Sequence, residues 1–227
     1  MKRRAAFAWA LAALLTATTA HADLIKIGTA NHNGVAVNLI YEPAQNLVWA
    51  DHSWYGTPAG APRWAGLSNV TLDPLYTTDI DWTAGWRWAA TVDGPWEGGY
   101  DGTTTAGYNI TSSEMGHLFY VSLGNIGRYD KEGNLQSDYG LNSVGPFEEL
   151  KAQAYWSGTE YTYAQETSYW TFSFRSGLQS YQPKSQSFQL LAVHEGTVSV
   201  VPVPGAGVLG LLGLGSAGAW LRRRWSA

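Results

Sequence analysis

Carboxylates, histidines and loop aromatics are the side chains here with chemistry to offer, and their spacing limits what that chemistry can be. Asp79 and Asp81 stand two residues apart in a polar stretch. Paired carboxylates are the minimum apparatus of a glycosidase, though alternate spacing in a polar run equally suits a solvated turn. Four histidines of the body, His32, His52, His117 and His194, are scattered, and nothing in their spacing links them. Glu114 and His117 lie three residues apart, so a helix would place them on one face, as a ligand pair or as an ordinary surface pair. Asp130, Glu132 and Asn134 alternate through DKEGNLQSD in the outline of a calcium loop. The glycine falls at the fourth position instead of the sixth, and no glutamate closes the loop, so it is not an EF-hand. Signatures of serine hydrolases, zinc proteases, P-loops and dinucleotide folds are absent. No catalytic residue is assigned, and no cofactor is expected beyond calcium as a candidate ion.

Binding is better provided for than catalysis. Trp54 and Trp64 lie in the loop-like stretch 52–64, and Trp86, Arg87 and Trp96 in the stretch 82–100. Tryptophans held at a surface stack on sugar rings, and carboxylates such as Asp79 and Asp81 accept hydrogen bonds from sugar hydroxyls.

The elements that must position these residues are mostly strands. Residues 155–196 read as three strands joined by two turns. Within 168–174, Trp170, Phe172 and Phe174 alternate with Tyr169, Thr171 and Ser173, the period of a strand with one buried face. Residues 188–193 form a short apolar run suited to a core strand, and an antiparallel arrangement is expected. Residues 35–40 and 46–50 flank a Pro-containing turn and read as a hairpin. The stretch 52–81, rich in Gly, Pro, Thr and Asn, reads as irregular, as do 92–95 and 98–102. One clear helix is predicted over 111–124, with Thr111 and Glu114 as a capping box, Met115, Leu118, Phe119 and Leu123 on its apolar face, and Gly124 past its end. A short helical turn is expected over 145–150. The class is α+β.

Both ends of the chain stand apart from this body. Lys2, Arg3 and Arg4 precede an apolar, small-residue run that closes on Ala20-His21-Ala22, the form of a secretory signal peptide cleaved after Ala22. Residues 201–221 are apolar and uncharged, and Arg222, Arg223 and Arg224 follow at once. A helix over about 203–221 would span roughly 30 Å, one bilayer crossing, with its basic end in the cytoplasm. The organisation expected is therefore a signal peptide over 1–22, an exported domain over 23–200 and a C-terminal signal over 201–227.

Charge and cysteine content exclude several classes. Six of the 14 Lys and Arg lie in the two ends and all 18 Asp and Glu lie between them, so the body carries 8 basic against 18 acidic residues, a formal charge of −10. Such a domain repels nucleic acid and has no basic run to overcome this, so nucleic acid is not expected as a partner. Cysteine is absent, which removes disulfides and thiolate metal sites. Stability must come from packing, and nine of the 12 Trp lie in the body.

Several runs resemble a known family. Trp156-Ser157-Gly158-Thr159-Glu160-Tyr161, an aromatic strand, Gly177-x-Gln179, Lys184 and Leu191-Ala192-Val193 are similar to the end of DUF1566, the Legionella collagen-like protein C-terminal domain. Residues 113–120, S-E-M-G-H-L-F-Y, closely resemble a run in DUF1566 proteins that carry a PEP-CTERM signal, and Leu39-Ile40-Tyr41 with Asn46-Leu47-Val48-Trp49 resembles their opening strands. Trp86-Arg87 matches the family's G-W-R, whereas Trp88-Ala89-Ala90 and His194-Glu195-Gly196 depart from its pattern. The resemblance implies a fold like C-type-lectin-like and formylglycine-generating-enzyme-like domains. The activity of the latter is not carried over, because its catalytic cysteines are missing. Val201-Pro202-Val203-Pro204-Gly205, the apolar span and the basic end resemble a PEP-CTERM sorting signal. This implies a Gram-negative bacterium whose exosortase cuts near Pro202 and Pro204, after passage through the inner membrane.

Taken together, these readings describe an exported cell-surface or extracellular-matrix protein with a lectin-like domain for polysaccharide or a surface partner, processed by signal peptidase and exosortase. A hydrolase acting on exported polysaccharide and a purely structural matrix component are the alternatives. Intact mass and cell fractionation test the export reading: a species trimmed at both ends and found outside the cytoplasm is expected, and a single full-length cytoplasmic species would overturn it.

Overall fold

A computed structural model describes residues 24–58, 66–164 and 167–201. Strands dominate, with one short helix, so the mixed α+β class holds. The segment expected to be a signal peptide, Trp64, and the segment after Val201 expected to be a sorting signal, with Pro202, Pro204 and the three arginines, lie outside the described residues. Among the described residues no helix is long and apolar enough to cross a membrane.

The chain opens with β1 (Ile25–His32), β2 (Val35–Glu42) and β3 (Leu47–Gly56), an antiparallel meander. The hairpin predicted between β2 and β3 is present, and Asn46 closes it with a positive φ of 56°. Next come β4 (Ser68–Leu72), β5 (Tyr76–Thr78), β6 (Arg87–Trp88), β7 (Gly98–Gly99) and β8 (Ala106–Gly107). Helix α1 (Glu114–His117) follows, and then β9 (Ala154–Glu160), β10 (Ser168–Ser173), β11 (Leu178–Pro183), β12 (Phe188–Glu195) and β13 (Val198–Val200). The main sheet runs β4-β1-β2-β3-β12-β9-β10-β11-β8-β7, with β6 also on β12, while β13 pairs with β5 in a separate two-stranded sheet.

Strand β12 is the hub, because both its faces and both its edges are occupied. Leu191 and Val193 point into one apolar cluster with Trp49, Phe119, Tyr155, Phe172 and Phe174. Ala192 points into the other, with Ile27, Leu39, Val48 and Trp86. Burial on both sides is why residues 190–193 read as an unbroken apolar run. Trp170, Phe172 and Phe174 are fully buried, as their alternation predicts.

Four expectations need correction. Residues 155–196 hold four strands, not three: β11 was hidden because its one fully buried side chain is the polar Gln179. The sheet is not purely antiparallel, since β12 runs parallel to β9 through Gln189 and Leu190. The stretch 52–81 is not irregular throughout, because β3 continues to Gly56 and β4 and β5 follow. No helical turn forms over 145–150. There the Asp51 carboxylate accepts from the backbone N–H groups of Glu148 (2.7 Å) and Glu149 (3.0 Å) and holds an irregular turn instead.

The predicted helix is also revised. Its α-helical part is only Glu114–His117, and Leu118–Ser122 continue as a π-helix. Ser113, not Thr111, caps it by accepting from the Gly116 N–H at 3.2 Å. The Glu114 carboxylate cannot complete a capping box because it turns away to Arg87 and to the Ala90 N–H. The predicted apolar face is correct: Met115, Leu118, Phe119 and Leu123 are buried, and Gly124 follows with a φ of 64°.

The wider π turn carries Ser122 to a buried carboxylate. Glu42 is fully inaccessible, and its oxygens accept from Trp49 Nε1 (2.7 Å), Gln45 Nε2 (2.8 Å), His117 Nδ1 (2.9 Å) and the Ser122 hydroxyl. His117 and Glu114 therefore do not share a ligand, and each serves a separate internal contact. Replacing Glu42 by Ala strands these donors, and by analogy with broken buried ion pairs the cost is about 3–5 kcal/mol. Chemical denaturation checks this, with Ser122→Ala expected to cost only about 1 kcal/mol. A loss below 1 kcal/mol for Glu42→Ala would contradict the assigned role.

Candidate functional site

The residues singled out by sequence have different fates. Trp86 is buried in the core, edge-on to His194 at 5.5 Å, so it offers no stacking face. Arg87 is committed internally. Its Nη1 and Nη2 donate to the two oxygens of Glu114 at 2.8 and 2.6 Å, and Nη2 also reaches Glu195 at 2.8 Å. The Glu114 hydrogen bonds hold the guanidinium firmly protonated, and Arg87 in turn lowers the pKa of the Glu195 carboxyl. Trp54 is half-buried between His32 and His52, whose rings approach it edge-on at 4.9 and 4.7 Å. Burial lowers the pKa of both imidazoles, reinforced at His32 by the charge of His52. The fold thus joins two histidines that their spacing left unlinked.

The carboxylate candidates Asp79 and Asp81 are exposed, and Asp81 forms a turn. Asp81 Oδ1 accepts from the N–H and the hydroxyl of Thr83, and these bonds lower its pKa, the opposite of what a general acid needs. Asp79 is exposed on the same segment. In the predicted calcium outline, Asp130 accepts from the backbone N–H groups of Glu132 and Asn134 and from Asn134 Nδ2, so its oxygens are engaged within the loop. Those bonds, that from the Asn134 side chain first, lower its pKa. Among the described residues, no group of three or more His, Asp or Glu is placed to hold a metal.

Among the described residues, Trp96 is the one candidate tryptophan that the fold presents openly, at 54% exposure. It lies beside a glycine floor made by β7 and β8, which pair in parallel with Gly98 opposite Ala106 and Gly99 opposite Gly107. That register places Tyr100 and Tyr108, each the residue after its strand, one over the other with ring planes 9° apart and centroids at 6.0 Å. Tyr129 closes on both, at 5.3 and 5.0 Å. Gly107 has a φ of 111°, and a Cβ there would stand 1.9 Å from the Gly99 carbonyl oxygen, so only glycine permits this close approach. Trp96, Tyr100, Tyr108 and the three glycines line a groove of about 270 Å³, with Gln179 and Ser180 of β11 on its inner wall.

Two anchors hold the groove. The Tyr120 hydroxyl accepts from the Asn109 N–H at 2.9 Å and donates to the Gly177 carbonyl at 2.8 Å, fixing the chain just beyond Tyr108. Burial pushes the Tyr120 phenol well above its ordinary pKa, so it remains a donor. Asp93 ties down the segment before Trp96 by accepting from Trp170 Nε1 at 2.7 Å and the Thr162 N–H at 3.3 Å. Inside the wall, Gln179 Nε2 donates to the Thr105 carbonyl at 2.9 Å, while its buried Oε1 has no hydrogen-bond partner. No charged side chain lines the groove. Aromatic faces with a few polar atoms and no charge suit a neutral ring that offers C–H faces and hydroxyls.

Tyr108 and Gln179 were not among the candidates derived from sequence, and Tyr100 entered only as the end of the stretch 82–100. The available signal was the repeated Gly-Tyr step, Gly99-Tyr100 and Gly107-Tyr108. For Gln179 there was none. No family model, curated protein or solved structure matches the chain.

Asp93 gives the groove an acid limit. Burial opposes its ionisation, yet the hydrogen bonds from Thr162 and Trp170 hold its folded pKa below the ordinary 3.8. A carboxyl depressed on folding stabilises the protein above its unfolded pKa, and that contribution fades as pH falls through the folded value. Asp93→Asn should therefore flatten the stability profile below about pH 4, where the unchanged protein loses stability steadily. Denaturant midpoints from pH 6 to pH 2.5 check this, and parallel profiles for the two proteins would refute it.

Proposed function

We propose that the chain is an exported, exosortase-sorted protein of the cell surface or extracellular matrix of a Gram-negative bacterium, and that its body is a lectin-like, non-enzymatic polysaccharide-binding module of the DUF1566 kind. The groove of Trp96, Tyr100 and Tyr108 carries the binding part of this reading. It combines an exposed indole, a stacked tyrosine pair and a glycine floor that lets a ligand approach the backbone. A groove free of charge does not require its ligand to carry any, which suits a domain that repels polyanions. The signal peptide, the Val-Pro-Val-Pro boundary, the apolar span and the terminal arginines support export and sorting. The segmental resemblances at 113–120 and 156–193 support the family.

The test is binding of the purified full chain to the extracellular polysaccharide of the producing organism, with and without a calcium chelator. Saturable binding is expected. Trp96→Ala and Tyr100→Ala should each weaken it about tenfold, the equivalent of ~1.4 kcal/mol. The chelator should have no effect, because the groove is built without carboxylates. A folded protein that fails to bind would overturn the reading, and loss of binding on chelation would remove the groove from it.

A further inference from the structure

A second concave site lies away from the groove, where the central strands end. The C-terminal ends of β3 and β10 and the N-terminal ends of β9 and β12 meet at one margin of the sheet, because β9 and β12 run parallel and their other neighbours run opposite. Tyr55, Phe188, Gln153, Ser187 and Arg175 surround a cleft of about 440 Å³ there. Tyr55 is 69% exposed, and Phe188 is braced edge-on by Trp156 at 4.9 Å.

Arg175 sets this cleft apart from the other. Of the arginines in the described residues, Arg87 is bonded to two glutamates and Arg128 lies over the rings of Tyr129 and Tyr139. Arg175 is exposed and has neither a carboxylate nor a ring partner among the described residues. The backbone beneath it is pinned. The Gly177 N–H donates to the Ser173 carbonyl at 2.7 Å, and the Arg128 N–H donates to that of Ser176 at 2.8 Å. A fixed turn therefore presents a guanidinium that no carboxylate or ring among the described residues engages, in the same cleft as Tyr55 and Phe188.

We propose that this cleft binds a hexuronate residue of a polysaccharide. The guanidinium fork matches the two oxygens of the sugar's carboxylate, Tyr55 and Phe188 provide faces for the pyranose ring, and Gln153 and Ser187 meet its hydroxyls. The acidic body restricts this to an isolated carboxylate read at one point and disfavours a densely charged chain.

The experiment titrates the full chain with the methyl glycosides of galacturonate and mannuronate, each carrying one carboxylate, with their carboxyl-reduced neutral counterparts and with a blocked peptide carrying a single glutamate. At least one uronate should bind, with affinity falling as salt rises and at least tenfold weaker binding of its reduced counterpart. Arg175→Gln should lower uronate affinity at least tenfold with an unchanged melting temperature, while Arg175→Lys keeps part of it. Trp96→Ala should leave it unchanged, which separates this site from the neutral-sugar groove. Absence of uronate binding, equal binding of the reduced sugars or of the peptide, or wild-type affinity in Arg175→Gln would overturn the proposal.

Discussion

A carboxylate with no access to water must be met by donors, and Glu42 imposes that requirement on the middle of this fold. Removing a charge from water costs several kcal/mol unless hydrogen bonds replace the lost solvent. Four side chains replace it here: Trp49 and Gln45 from the hairpin, His117 from the helix and Ser122 from the π turn. The hairpin and the helical segment are thereby locked in one orientation. Gln45 extends the link by donating also to the Glu114 carbonyl at 3.1 Å. From Glu114 the connection passes to Arg87 and on to Glu195 of β12. The S-E-M-G-H run thus reads as structural: its glutamate and histidine join the helix to two different strands.

The division of labour across the sheet follows from burial. The central parts of β2, β3 and β12 are covered on both faces and offer no surface to a ligand, and only their ends, such as Tyr55 and Phe188, reach the outside. The two concave surfaces considered for binding lie where the sheet thins or stops. At one margin two-residue strands rich in glycine leave room for Trp96 and the paired tyrosines. At another, strand ends leave Tyr55 and Arg175 around a cleft. Both sites rest on rigid elements, with Asp93, Tyr120 and the turn at residues 173–177 holding their edges.

Much of the core was legible beforehand, because its signal is local. The alternation of Trp170, Phe172 and Phe174, the apolar run before His194 and the amphipathic face of Met115, Leu118, Phe119 and Leu123 all depend on neighbours in sequence. The candidate site was less legible. Trp86 and Trp96 look alike in sequence, ten residues apart, yet one is core and the other is open to solvent. Arg87 read as a ligand contact because its two glutamate partners lie 27 and 108 residues away. Strand β11 escaped notice because a buried glutamine carries no hydropathy signal.

The sequence by itself determined the α+β class, the aromatic core and the acidic charge of the body, since composition and short periodicities specify these without reference to distant contacts. It also carries the two terminal segments whose patterns bear on export. Tertiary structure alone decided which aromatics reach the surface, which cations are consumed by internal partners and where tyrosines eight residues apart stack. Those outcomes depend on strand register and on the parallel pairing of β9 with β12 and of β7 with β8. Such pairings are settled by how long-range burial and hydrogen bonding are satisfied together, not by any local pattern.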